Sequence, residues 1–200
     1  MTSGFLPRLV VATRNDHKVR EIVRICADWP VEWLTHEDVT WPDVEETGRG
    51  YLENALLKAR TVVEATGEAA LADDSGIEVD ALGGGPGPRS ARYAGEGATD
   101  EANLKALLRA LAGIPRPGRT ARYRAVAVAA RPDGRDDHAE ATCEGIIGTK
   151  PLGTGGFGYD PIFEPAGWDR TMAELAPEEK DRISHRGRAL RALRDRLATG

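Results

Sequence analysis

The apolar run Leu9-Val10-Val11-Ala12 has the length of a buried strand, and it leads through the polar Thr13-Arg14-Asn15 into a segment where Val19, Ile22, Val23 and Ile25 recur at helical spacing. A strand, a polar turn and a helix are therefore expected at the start of the chain. A second helix is predicted from about 50 to 65, where Leu52, Leu56, Ala59 and Val63 repeat on one face. The strand around Leu71 then runs into Asp73-Asp74-Ser75-Gly76, a good turn sequence that is expected to end it. Next, Ile77, Val79 and Ala81 alternate with Glu78, Asp80 and Leu82, until Gly83-Gly84-Gly85-Pro86-Gly87-Pro88 breaks all regular structure and demands unusual backbone angles. The segment 99–112 opens with a cap-like Thr-Asp-Glu, carries Leu104, Leu107, Leu108 and Leu111, and is closed by Gly113 and Pro115, which predicts a helix. Tyr123 to Ala130 and His138 to Ile147 read as strands with a hairpin turn at Pro132-Asp133-Gly134, and a final helix is expected over roughly Pro177 to Leu197. Strands interleaved with helices, plus one hairpin, predict a mixed sheet flanked by helices, hence α/β.

Composition narrows the function classes. With 200 residues, 40% of them hydrophobic, the chain can bury one substantial core, so residues 1–200 are expected to form one domain or two closely joined lobes. A net charge of −5 argues against non-specific binding to nucleic acid or to an anionic membrane, so a phosphate ligand has to be met by local cations, metal or backbone N–H groups. Cys26 and Cys143 show no metal-ligand spacing and no disulfide framework, as expected of free thiols in a reducing cytoplasm. The first apolar run is too short for a signal peptide or a membrane span, and no later stretch reaches spanning length.

Five constellations carry chemistry. Two adjacent carboxylates raise one another's pKa or demand a counter-charge, so Asp73-Asp74 reads either as a metal site with an acid/base role or as a solvated turn. At Thr13-Arg14-Asn15-Asp16-His17-Lys18, helix-initial N–H groups and a lysine suit a triphosphate; the alternative is an ordinary N-cap by Thr13 or Asn15. This junction lacks the Gly-x-x-x-x-Gly-Lys spacing of the common phosphate loop. Glu45-Glu46-Thr47-Gly48 precedes Asn54 and Lys58 on one helical face, either as a magnesium carboxylate with a phosphate-binding lysine or as a surface patch. In Gly153-Thr154-Gly155-Gly156-Phe157-Gly158-Tyr159-Asp160-Pro161, rings embedded in glycine are platforms for stacking on a base, although such rings also plug core edges. Lys180 and Ser184-His185-Arg186, about one turn apart on the final helix, are expected near one face as an anion- or carbonyl-recognising cluster. His17, His36 and His138 have no such company and, on the residues alone, receive no role.

Taken in order, Thr13-x-Asn15-x-x-Lys18, Glu46-Thr47-Gly48 with Asn54 and Lys58, Asp73-Asp74-Ser75-Gly76, Ser90-Ala91-Arg92-Tyr93-Ala94-Gly95, Gly155-Gly156-Phe157-Gly158-Tyr159-Asp160-Pro161 and Ser184-His185-Arg186 resemble the inosine triphosphate pyrophosphatase family, the noncanonical purine pyrophosphatases that hydrolyse dITP, ITP and XTP. The resemblance spans about Leu9 to Leu197. It implies a two-lobed α/β fold around a long twisted mixed sheet, an active-site cleft between the lobes, a homodimer, and a requirement for one or more magnesium ions per subunit. It also implies a cytoplasmic house-cleaning role, in which deaminated purines are removed before they enter DNA or RNA. Carried over by position, Thr13, Arg14, Asn15, Asp16, His17 and Lys18 would hold phosphates, with Lys58 beside them. Asp74 would be general base and metal ligand, with Glu46 (or else Glu45) as the second metal-linked carboxylate, Ser75 would contact substrate, and Asp73 would orient the turn or the metal's water. Phe157, Gly158, Tyr159 and Asp160 would embrace the base, with Phe157 stacking, and Lys180, His185 and Arg186 would complete recognition. Arg14 stands where many relatives have glycine, and Pro88-Arg89 replaces the usual apolar-aromatic pair. Two rivals are a nucleotide-sensing module that binds without cleaving and a metal-dependent phosphatase that releases inorganic phosphate.

Overall fold

The computed structural model describes residues 6–199. Its elements are β1 (Arg8–Val11), α1 (Asp16–Ile25), β2 (Glu32–Leu34), α2 (Tyr51–Thr66), β3 (Ala70–Val79), α3 (Asp100–Ala110), β4 (Thr120–Ala130), β5 (Asp136–Ile147), β6 (Phe163–Pro165), α4 (Pro177–Ile183) and α5 (His185–Thr199), with short 3-10 turns between them. The sheet has six strands in the order β2-β1-β3-β4-β5-β6; β1 is parallel to β2 and β3, and β5 is antiparallel to β6. This is the mixed, helix-flanked α/β sheet that the hydrophobic pattern predicts. The strands β2 and β6, three residues each, are too short to show a period and escape sequence reading.

The chain divides into two units. One takes the residues up to Asp74, Ala125–Ala141 and Arg186 onward, and the other takes Ser75–Arg124 and Thr142–His185. In the first unit the strands are buried on both faces, so strand alternation divides their side chains between two apolar layers. Leu9, Val11, Ala69 and Leu71 pack with Ile22 of α1 and with Ala189, Leu190 and Leu193 of α5. Their neighbours Val10, Ala12, Ala70 and Ala72 pack with Ala55, Ala59 and Val62 of α2. The buried stripe of α2 is thus rotated from the expected one: Ala59 is shared, but Leu52 is exposed, and Leu56 and Val63 only flank the core. Alanines at the contact let the helix lie close to the alanine-rich strands, which the larger side chains could not do. In the second unit, Ile77, Val79, Tyr123, Ile147 and Phe163 form a core with Leu104, Leu107 and Leu111 from α3 and its C-terminal end.

Three expectations need correction. The strand at Leu71 does not end at the acids: β3 runs unbroken from Ala70 to Val79, so Asp73-Asp74-Ser75-Gly76 is strand and not turn. The glycine-proline run is not wholly irregular, because a 3-10 turn begins inside it and covers Gly87–Arg92, although Gly83, Gly84 and Gly87 do adopt positive φ. The final helix is two helices, broken where Ser184 takes an extended conformation with φ −64° and ψ 153°, a backbone shape that starts a new helix.

Gly76 serves close packing. A Cβ there would stand 2.2 Å from the Gly87 carbonyl oxygen and 2.7 Å from Ser90 Oγ. Ser90 Oγ accepts from the Ile77 N–H at 2.8 Å and donates to the Gly87 carbonyl at 2.6 Å, so the neighbour is a fixed hydrogen-bonded group. Gly76→Ala is therefore expected to destabilise the protein by about 1–3 kcal/mol, the usual range for overpacking, read as a lower urea midpoint.

Candidate active site

Because β3 continues through the acids, Asp73 and Asp74 point to opposite faces of the sheet. Asp73 shares the face of Leu71 and meets α1 and α5. Its Oδ2 accepts from Arg186 Nε and Nη2 at 3.0 and 2.9 Å, and Lys18 Nζ lies 3.2 Å from its Oδ1. Arg186 also donates to Glu21 Oε2 at 2.5 Å, and every member of this group is largely shielded from solvent. Burial pushes the Asp73 carboxyl up, but Arg186 and Lys18 outweigh it and hold the group well below the usual carboxylate range. Burial also lowers the Lys18 ammonium, against the opposing pull of Asp73.

Asp74 shares the other face, that of Ala72, and meets α2. Lys58 Nζ donates to Asp74 Oδ1 at 2.8 Å, to the Asp73 carbonyl at 2.8 Å and to Glu46 Oε1 at 3.1 Å, while Asn54 Nδ2 donates to Asp74 Oδ2 at 3.4 Å. Burial raises the Asp74 carboxyl above its ordinary value, and the nearby lysines offset this only in part. For Lys58, Asp74 and Glu46 overcome burial and keep the ammonium charged. Glu46 joins this group, whereas Glu45 is exposed.

The donor set suits a hard divalent cation. Asp74, Glu46 and the Asp73 carbonyl converge on one ammonium, which marks the point where oxygen ligands gather around positive charge. Asn54 Oδ1, also buried here, has no hydrogen-bond partner among the described residues. Among those residues no three His, Cys, Asp or Glu side chains gather to hold a metal by themselves. Two carboxylates match magnesium, which usually takes one or two and fills its remaining positions with water and substrate phosphate.

The junction before α1 is more occupied than its sequence suggests. Asn15 is the N-cap and accepts from the N–H groups of His17 and Lys18 at 2.9 and 3.2 Å, and Thr13 Oγ1 accepts from the Asn15 N–H at 3.2 Å. Arg14 is paired with Asp43 and the Trp41 carbonyl and lies over the Trp41 ring. Asp16 faces His36 at 3.4 Å, and His17 Nδ1 is 3.2 Å from Arg20. From this motif Lys18 reaches the buried Asp73 carboxylate.

In the second unit, Asp160 organises the glycine-aromatic loop. It accepts from Lys180 Nζ at 2.6 Å, from the Phe157 N–H at 2.9 Å and from the Tyr123 hydroxyl at 3.2 Å. Lys180 Nζ is also 5.1 Å from the centre of the Phe157 ring. The Gly158 N–H donates to Asp100 Oδ2 at 2.7 Å, in the left-handed conformation (φ +63°) that favours glycine. Tyr159 is part of the apolar core, its hydroxyl donating to the Ser90 carbonyl at 2.7 Å, and burial raises its pKa. Its ring therefore anchors the loop, while Phe157 is only partly buried. The His185 ring stacks on Tyr123, centroids 4.5 Å apart and planes within 6°. Ser75 follows Asp74 in β3 and is half-buried.

The break at Ser184 corrects one grouping: Lys180 and Arg186 do not share a helix face, since Lys180 goes to Asp160 and Arg186 to Asp73. Sequence reading missed Glu21, Tyr123 and Asp100. Glu21 stands three residues after Lys18 and beside Ile22, so its helical position on a buried face was a usable signal. Tyr123 and Asp100 had none beyond their element assignments.

Removing Arg186 would leave Asp73 and Glu21 buried without their main partner. Arg186→Met is expected to cost about 3–5 kcal/mol in chemical denaturation, the range for breaking a buried ion pair from one side. The depressed Asp73 pKa fixes the sign of the acid response. Its contribution is complete above the unfolded carboxylate value, near pH 4, and is lost as pH falls from there through the folded value. Stability measured from pH 6 down to pH 2 should fall less steeply in Asp73→Asn than in the unmodified protein.

Comparison with known proteins places this arrangement. The model of the Ham1 family matches residues 9–196. A dITP/XTP pyrophosphatase of Shigella flexneri is 46% identical over 199 residues, covering 98% of this chain and 100% of that protein. One from Geobacter sulfurreducens is 49% identical over 193 residues, covering 96% and 97%. The solved structure of a HAM1 protein from Coxiella burnetii superposes with a TM-score of 0.87 at 38% identity, covering 98% of this chain and 100% of that one. The resemblance read from ordered motifs is borne out at full length: the chain belongs to the Ham1 family.

Proposed function

We propose that this chain hydrolyses noncanonical purine nucleoside triphosphates, dITP, ITP and XTP, to the monophosphate and pyrophosphate, and so clears deaminated purines from the nucleotide pool. The observation that carries this reading is Asp74: a buried carboxylate of raised pKa, fixed by Lys58 and Asn54 beside Glu46, in a chain close to dITP/XTP pyrophosphatases over its whole length. A raised carboxyl pKa brings the group nearer the working pH, as general base catalysis requires.

In this reading Asp74 positions and deprotonates the attacking water. Lys18 and Lys58 are the cations that meet phosphate, with Thr13, Asn15 and the rest of the junction shaping that end of the site and Ser75 next to the base. Arg186 acts by holding Asp73 in place, which also fixes the strand that carries Asp74. Asp74 and Glu46 would hold magnesium, one or more ions per subunit, and the ion would neutralise charge on the phosphates. Phe157 is the stacking ring, and Gly158, Tyr159, Asp160 and Lys180 hold it in place. His185, its ring oriented by stacking on Tyr123, is the donor assigned to the 6-oxo group of hypoxanthine and xanthine. Adenine places an amino group there, and a buried donor without an acceptor costs about 1–3 kcal/mol.

The whole chain is proposed to work as one catalytic domain, in a homodimer, in the cytoplasm. The buried, unbridged Cys26 and Cys143 fit a reducing compartment, and among the described residues no helix is long and apolar enough to cross a membrane.

Phosphorus NMR of ITP with magnesium tests the reaction: pyrophosphate is expected, whereas inorganic phosphate or no product would overturn it. In the same assay Asp74→Asn, checked for folding by circular dichroism, should lose roughly 10²-fold or more in rate. ITP should be turned over faster than ATP at equal magnesium, and comparable rates would remove His185 from its role.

A further inference from the structure

Lys58 presents more than a phosphate-binding charge. Its ammonium has three N–H donors, and three oxygens accept from it: Asp74 Oδ1 and the Asp73 carbonyl at 2.8 Å each, and Glu46 Oε1 at 3.1 Å. The lysine side chain is 12% exposed and that of Asp74 only 6%, so this is a built interior contact. Two carboxylates and a carbonyl are the donor types a hard divalent cation takes, and here a monovalent cation of the chain already sits among them. An ammonium and a divalent ion on the same oxygens would repel at contact distance, in surroundings that screen poorly.

We infer that Lys58 is a built-in occupant of the metal position, which a divalent cation enters only as the lysine leaves. The inference rests on the metal-assisted reading above and deepens it. Once displaced, the ammonium needs new acceptors, and the oxygens of a nucleoside triphosphate supply them. Metal and nucleotide therefore favour each other's binding, while the nucleotide-free protein holds metal weakly. Reciprocity follows because both ligands bias one equilibrium, lysine in against lysine out.

The test uses manganese without nucleotide, followed by loss of the free-ion signal in electron paramagnetic resonance. Lys58→Met keeps the apolar stem and removes the charge. It is expected to bind manganese about tenfold or more tightly than the unmodified protein, the scale on which groups around metal ligands act. Adding Glu46→Gln to Lys58→Met should abolish the gain. Affinity in Lys58→Met no tighter than in the unmodified protein would overturn the inference, as would a gain that survives Glu46→Gln. Since Lys58→Met leaves two carboxylates unneutralised, a second readout guards against a folding defect: manganese should raise its Tm by more than it raises that of the unmodified protein, and an equal or smaller rise counts against the inference. Lys58→Gln should change affinity in the same direction. Failure of the unmodified protein to release pyrophosphate from ITP would instead sink the functional reading, and the nucleotide-free titration separates the two.

Discussion

Neighbouring side chains on a β-strand cannot face each other, and the first unit depends on that constraint. Asp73 and Asp74 would repel if they shared a turn, but within β3 each is turned to its own side of the sheet and meets its own cations. The alternation that sends Leu71 to α1 and α5 sends Asp73 there too, and the alternation that sends Ala72 to α2 sends Asp74 after it. The polar site is thus the continuation of the apolar packing by one residue in each layer. Asp73, on Arg186 and Lys18, is held ionised; Asp74, on Lys58, has its pKa raised.

This division has an energetic logic. Burying a carboxylate costs several kcal/mol unless charge and hydrogen bonds compensate, and such pairs seldom add net stability over apolar packing. Asp73, Glu21 and Arg186 are therefore poor candidates for a purely stabilising role. What they contribute is position: Arg186 lies at the start of α5 and Glu21 on α1, so one guanidinium fixes two helices against the strand that carries Asp74. Across both faces, the carboxylates of Glu21, Glu46, Asp73 and Asp74 outnumber Lys18, Lys58 and Arg186 by one charge. With Lys58 withdrawn the excess becomes two, the charge of the divalent ion inferred to take its place.

Much of the fold was legible because long periodic segments are governed by local rules. Leu9 to Ala12, the helix after Thr99 and the hairpin at Pro132-Asp133-Gly134 all stand where patterning puts them. The corrections have separate causes, the first of them tertiary contact overriding a local signal. Asp-Asp-Ser-Gly is turn-like in isolation, yet cations on both faces and the close approach of Gly87 and Ser90 to Gly76 hold it extended. The final helix pattern contains Ser184, whose preference for starting a helix was outweighed in reading by the helix-forming residues around it. The partners of Arg14, Trp41 and Asp43, lie in a segment with no period to announce them. Of the candidate site, residue types and chain order were readable. Which carboxylate meets which cation was not, because that depends on strand face.

The loop of the second unit shows the same economy with different chemistry. A glycine-rich loop loses much entropy on ordering, and a ring on a wandering loop is a poor recognition surface. Asp160 counters this by accepting from Lys180, Tyr123 and the Phe157 backbone together, while Asp100 takes the next N–H and Tyr159 roots the loop in the core. Gly156 is required by the same latch, since a Cβ there would lie 2.1 Å from Asp160 Oδ2. The glycines thus serve close approach of the backbone to a buried carboxylate, and the mobility they permit is cancelled by the groups they admit. Phe157 is presented by a frame whose polar groups are already satisfied. In the proposed function, selectivity between purines is assigned to His185, whose ring is held flat against Tyr123 of the same frame.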